Sequence, residues 1–331
     1  MRLRTLLKFC ILSLLVTTAF LCPTSSYAQK DTTFWFVAPD LDRLHGEQPI
    51  FLRLAASKSS ANIIISQPAN PSFTPIPVSL SAYSNYSVDL SMLLSQVENA
   101  PANTVNNKGL LIQSTALITV YYDIANGLNG DMFSLKGNNA LGTRFTVPFQ
   151  NIWANRPAPY LATSSIEIVA TSDNTTVTIK PTRNVGGHSA GTPFNVILNK
   201  GQTYSCEAVG INPDDHLSGT IVSSDKPIAI TTKDDSVHPP WGSCYDTIGD
   251  QVVPDDKAGS EYIVIKGYLN QADDFFVTAI SDDTHVVIDG SEVAVLKAGD
   301  VYHSSLSAST AYVTTSKPCH LFHITGIGCE T

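Results

Sequence analysis

Leu198-Asn199-Lys200-Gly201-Gln202-Thr203-Tyr204 and Leu296-Lys297-Ala298-Gly299-Asp300-Val301-Tyr302 are one pattern written twice. A leucine closes an apolar run, a glycine-bearing turn follows, and a tyrosine opens the next run. Leu80-Ser81-Ala82-Tyr83-Ser84-Asn85-Tyr86 is a degenerate third copy. Working outward, three further elements recur in the same order. Thr32-Thr33-Phe34-Trp35-Phe36 aligns with Gly142-Thr143-Arg144-Phe145-Thr146-Val147 and with Gly259-Ser260-Glu261-Tyr262-Ile263-Val264. Leu54-Ala55-Ala56-Ser57-Lys58 aligns with Val169-Ala170-Thr171-Ser172-Asp173 and Thr278-Ala279-Ile280-Ser281-Asp282. Ile112 to Ile118 aligns with Val222 to Ile228 and Val313 to Cys319. Four elements repeated in order three times define a tandem array.

Each block reads as strands. Tyr86, Val88 and Leu90 alternate with Ser87, Asp89 and Ser91, and Val177 and Ile179 with Thr176, Thr178 and Lys180. Period two with one apolar and one hydroxyl-rich face is a half-buried sheet. Ser172-Asp173-Asn174, Ser281-Asp282-Asp283 and the glycine turns separate the strands, using side chains that bond their own backbone or tolerate positive φ. Pro227 and Pro318 are read as strand starts, where a missing N–H is tolerated. Each block offers the strands of a small β-sandwich. The expected fold is all-β: three tandem β-sandwich-like repeats at 29–138, 139–249 and 250–331, with a short helical turn between Asp89 and Glu98.

Residues 1–28 read as a cleaved secretory signal: Arg2, Arg4 and Lys8, an apolar run from Phe9 to Cys22, then Ser26-Tyr27-Ala28. The run is shorter than the roughly 20 residues of a membrane span, and no later segment is apolar enough to span. The expected location is extracellular or on a bacterial outer surface. Apolar residues make up 43% of the 331, enough for real cores, and charged residues only 15%. The net charge of −9, more negative once the signal leaves, argues against a nucleic-acid partner. Cys206, Cys244, Cys319 and Cys329 remain in the mature chain and allow up to two disulfides in three connectivities. A metal cluster of Cys319, Cys329, His320 and His323 is disfavoured, because 320 and 323 differ by an odd number and face opposite ways on a strand.

Thr33-Phe34-Trp35-Phe36, Leu141-Gly142-Thr143-Arg144-Phe145, Gly259-Ser260-Glu261-Tyr262 and Leu217-Ser218-Gly219-Thr220-Ile221 before Asp225-Lys226-Pro227 carry a resemblance. So does Cys244-Tyr245-Asp246 followed by Asp250-Gln251-Val252-Val253-Pro254. In their order along nearly the whole mature chain they resemble the N-terminal domain of the IgGFc-binding protein family. The resemblance implies an exported protein that binds a protein or glycoprotein such as a mucin or immunoglobulin. Bacterial members often carry a gliding-motility-associated C-terminal sorting domain, which this chain lacks. It ends at Gly326-Ile327-Gly328-Cys329-Glu330-Thr331, where family members continue, so the third repeat is expected to be truncated.

No GxSxG or HExxH motif and no evident carboxylate pair in an aromatic setting occurs, so an enzyme is not expected. Five Asp-Asp pairs fall late in the chain, at 214, 234, 255, 273 and 282. They read as solvated turn residues. The alternative is a Ca²⁺ site at a block junction, from Asp255, Asp256, Asp273 and Asp274, since carboxylates and loop carbonyls are what Ca²⁺ prefers. The longest non-repetitive insertion, from Asp234 to Asp256, holds His238, Trp241 and Tyr245 on a proline-stiffened loop. Aromatics presented this way either make a binding hot spot or plug the end of a sandwich. The expected function is a non-enzymatic adhesion module. The alternatives are a structural spacer of a larger surface protein and a carbohydrate-active accessory domain.

Overall fold

The computed structural model describes residues 29–327 apart from 45, 128, 240–243 and 269. The expected signal segment, Trp241 and Cys329 lie outside the described residues.

The first unit contains β1 (Asp31–Phe36), β2 (Ile50–Ala56), β3 (Ala61–Ser66), β4 (Ile76–Leu80), β5 (Asn85–Asp89), β6 (Val105–Asn106), β7 (Leu110–Ile124) and β8 (Asp131–Ser134). The second contains β9 (Gly142–Thr146), β10 (Ala154–Asn155), β11 (Ser164–Ala170), β12 (Thr175–Lys180), β13 (Phe194–Leu198), β14 (Thr203–Glu207), β15 (Ile221–His238) and β16 (Asp246–Val252). The third contains β17 (Gly259–Ile265), β18 (Asp273–Ala279), β19 (Thr284–Ile288), β20 (Ser291–Leu296), β21 (Val301–Leu306) and β22 (Thr310–Ile324). The strand orders are β4-β3-β7-β2-β5, β13-β12-β15-β11-β14 and β20-β19-β22-β18-β21, the same path three times. The fold is all-β. Short helical turns at Ser91–Leu93 and Leu94–Val97 fall where the sequence placed one.

One long strand organises each unit. The first part of β7 pairs with β3 and the second with β2, so the strand changes neighbours along its length and the sheet curls around one core. The change is chemically marked. Ser114, Ser224 and Thr315 each donate a hydroxyl to the carbonyl two residues on, at 2.7 Å. The next residue, Thr115, Asp225 or Ser316, accepts the main-chain N–H of Asn62, Thr176 or His285. These side chains supply bonds where the ladder is interrupted, as in a bulge. Pro227 and Pro318 follow this bend inside continuous strands rather than starting new ones. The sequence could not show that, because the bend keeps the chain extended on both sides.

Phe34, Leu52, Ile63, Tyr122 and Phe133 fill the first core, Phe145, Ile168, Val177 and Ile228 the second, and Phe275, Val286 and Val313 the third. Cys206 and Cys319 are buried free thiols in the second and third cores, while Cys244 is disulfide-bonded. At the first junction Trp35 and Val37 pack on Leu111, Val169 and Ala229. There β6 leaves its own unit and extends the second sheet by pairing Val105 with Tyr204 and Asn106 with Thr203. At the second junction Trp153, Val237 and Ile248 pack on Phe276, Ile324 and Ile327. Gly219 (φ +75) and Gly299 (φ +87) bring two turns together there; a Cβ on Gly219 would lie 1.9 Å from the Gly299 carbonyl oxygen. No helix among the described residues is long and apolar enough to cross a membrane.

Candidate functional site

The longest strand, β15, has 18 residues and ends in the loop that joins it to β16. Near its end the register shifts between Asp234 and Val237, with Ser236 at φ +47. The short strand β10 docks on this end, pairing Ala154 with His238 and Asn155 with Val237. The Arg156 N–H then donates to the Ser236 carbonyl at 2.9 Å. This fixes where the Arg156 side chain leaves the backbone.

The Arg156 guanidinium lies 3.6 Å from the ring centre of Tyr160 and 4.4 Å from that of Tyr245. Tyr245 in turn meets His238, with ring centres 4.6 Å apart. All four side chains are half-buried, and Leu161 beside them is exposed. A guanidinium over aromatic faces is held by charge–quadrupole attraction and keeps donors for a further partner. His238 and Tyr245 of the insertion thus meet, while Trp241 lies outside the described residues. Arg156 and Tyr160 are not among the candidate site residues read from the sequence, because no local motif marks them.

A buried polar network underlies the cluster. Asp234 accepts hydrogen bonds from Asn155 Nδ2 (2.6 Å) and Gln150 Nε2, and pairs with His216 Nδ1 at 2.9 Å. The side chains of Asp234 and His216 are wholly buried. Gln150 Oε1 accepts from the N–H groups of Ile152 and Trp153. Asp235 accepts from Thr247 Oγ1 at 2.9 Å and from the Asp42 N–H, reaching back to the first unit.

The acidic pairs therefore divide. Asp234, Asp235, Asp273 and Asp274 are buried inside strands and are not solvated turns. Asp255 accepts from Thr146 N (2.6 Å) and pairs with Arg144 and His320; although burial alone would raise its pKa, the His320 and Thr146 bonds bring it below the ordinary range. Asp256 is exposed beside Lys257. Asp273 pairs with His323 at 2.9 Å, and Asp274 with His303 at 2.5 Å. The four carboxylates considered for Ca²⁺ thus each have their own partners and are not brought to one point. Among the described residues no three His, Cys, Asp or Glu side chains are arranged to hold a metal.

Spacing gave no sign of a second buried acidic locus. Burial, with Glu47 and Asp40 nearby, pushes the Glu98 carboxyl up to about 9. Glu47 is also raised by burial, relieved in part by Arg43 and by its bond to Glu98. Burial likewise raises Glu167 to about 7, although it accepts from Ser165, Ser205 and Asn99. Burial opposes the charge on Lys233, but Glu207, Asp235, Glu167 and Asp40 outweigh it and raise its pKa. The sign of the pH effect follows from Glu98. Above its ordinary value of 4.5 the unfolded chain has released a proton that the folded chain keeps, so stability falls as pH rises towards 9. Thermal melts between about pH 5 and about pH 9 should decline for the native protein. They should flatten for Glu98→Gln, which should melt higher than the native protein at the alkaline end. Parallel curves would refute the assignment to Glu98.

A family model described as IgGFc binding protein matches residues 131–329. The chain belongs to the IgGFc-binding protein family. In this IgGFc-binding family member the matched span starts at the first residue of β8 and takes in the aromatic cluster and both later units. Most of the degenerate first unit lies outside it. No curated protein matches the chain.

Proposed function

We propose that this family member is a non-enzymatic, exported binding module that engages a protein or glycoprotein through Arg156, Tyr160, His238 and Tyr245. The observation that carries the reading is Arg156 lying between two tyrosines. Arginine and tyrosine are among the residues that dominate interface energetics, and here a buried network anchors β10, which carries Arg156. The family's name makes the Fc part of immunoglobulin the first ligand to try, followed by mucins and a glycan array.

The test uses the mature chain on immobilised Fc, mucin and glycans, with and without Ca²⁺. Arg156→Ala should weaken a saturable interaction at least about tenfold, the range of an interface hot spot, while the melting temperature stays put. Unchanged affinity in a folded Arg156→Ala protein would refute this site. A spacer role is the second reading, supported by the shared strand β6 and the packed junctions. Absence of any saturable ligand for the folded chain would favour it.

A further inference from the structure

Three segments of the second unit and one turn of the third line a polar cavity of about 230 Å³ at their junction. Thr182 and Arg183 reach it from the connection between β12 and β13, His216 and Ser218 from the approach to β15, and Asn151 from the stretch after β9. Asp300 reaches it from the turn between β20 and β21, the turn that Gly299 brings against Gly219.

The cavity holds a cation without a counterpart. Arg43, Arg53 and Arg144 each pair with a carboxylate. Among the described residues Arg183 has no acidic partner, and its one hydrogen bond runs from Nη1 to the Thr182 carbonyl at 3.2 Å. Its Nε is buried and has no acceptor. A buried donor in that state costs stability, more so on a charged group. Nε and Nη2 are also the edge by which a guanidinium grips a carboxylate with two parallel bonds.

Two further polar groups on the lining are open. The Asn151 side chain makes no hydrogen bond with any described residue. Asp300 accepts the Lys297 N–H on Oδ2 at 2.9 Å, which leaves Oδ1 without a donor among the described residues. The rest is committed: Thr182 Oγ1 donates to the Ser218 carbonyl, Ser218 Oγ to the Gln150 carbonyl, and His216 pairs with Asp234. Val301 is the one apolar side chain on the lining.

We propose that this junction cavity binds a single acidic sugar residue, with its carboxylate on the Nε–Nη2 edge of Arg183 and its hydroxyls on Asn151 and Asp300. A neutral sugar leaves the Arg183 charge unmatched. A small α-amino acid leaves Asn151 without a partner, and an aliphatic carboxylate has no donor for Asp300. None of Arg156, Tyr160, His238 and Tyr245 lines the cavity, so the site stands whether or not that cluster binds.

The probes are glucuronate and, separately, N-acetylneuraminate, titrated into the mature chain and followed by calorimetry. Saturable binding of at least one is expected. Its methyl ester should bind at least about tenfold weaker, because esterification removes the charge that the guanidinium recognises. Arg183→Gln should lose at least about tenfold in affinity with its melting temperature unchanged. Arg183→Lys keeps the charge but not the paired donors and should lose most of the binding as well. No saturable binding of either sugar acid overturns the proposal. So does equal affinity in folded Arg183→Gln. Acetate or alanine binding as tightly as the sugar acid overturns it too, since the hydroxyl contacts would then contribute nothing.

Discussion

Asp234→Ala should cost about 3–5 kcal/mol of folding stability, the usual penalty for breaking a buried charged pair from one side. The carboxylate sits wholly buried in β15 against His216, Asn155 and Gln150. Alanine removes that acceptor from all three: Asn155 keeps the Asp235 carbonyl and Gln150 the Trp153 carbonyl, while the buried His216 loses its carboxylate. A stranded donor carries its own desolvation cost. The damage also spreads in a defined direction. Gln150 orders Ile152 and Trp153, and Asn155 anchors β10, which carries Arg156. Asp234→Asn keeps an acceptor oxygen and should lose much less. Urea unfolding followed by tryptophan fluorescence measures both. A loss below about 1 kcal/mol for Asp234→Ala, the net worth of one ordinary hydrogen bond, would show that the network is not holding the fold.

Gly219→Ala should cost about 3 kcal/mol, the second-largest effect expected. Two penalties combine. The backbone at φ +75 disfavours any Cβ, which by itself costs about 1–2 kcal/mol. The new carbon would also lie 1.9 Å from the Gly299 carbonyl oxygen, a main-chain atom that cannot rotate away. The turn bearing Gly299 must retreat, loosening the packing of Trp153 and Val237 on Phe276 and Ile324. Gly290 is the control: its φ is +83, but nothing lies within 4 Å of an added Cβ. Gly290→Ala should therefore show the conformational cost alone. Equal losses in the two variants, measured by calorimetry, would dispose of the close-approach argument.

The repeat was legible because its signals are local: alternation, turn residues and a glycine at a fixed offset. Its first copy was faint for a physical reason. Tyr83 stands at φ +60 where the later units have Gly201 and Gly299, so the conformation persists without its usual residue. The metal reading rested on carboxylates adjacent in sequence. Strand geometry sends Asp273 and Asp274 to opposite faces, the same parity that separates His320 from His323. Asp234 and Asp235 look like a turn only if the strand stops before them, and β15 runs on to His238. The candidate site was half visible. His238 and Tyr245 flank one loop, but Arg156 reaches them only because β10 pairs about 80 residues along the chain, a contact no local pattern announces. Lys233 and Glu167 come within electrostatic reach of each other on the paired strands β11 and β15 with no spacing signature at all.

The strand that the first unit lends to the second has a consequence for descent. Copying a block of sequence is how such arrays grow, and each copy here keeps the parent's strand path. Yet β6 is stitched to β14, and Trp35 covers Val169 and Ala229, so the boundary of the copied block is not a boundary of the folded object. Deleting the first block strips β14 of its outer strand and leaves an apolar face uncovered. An ancestor could gain these units one at a time, but its descendants cannot shed the first without re-evolving the surface of the second.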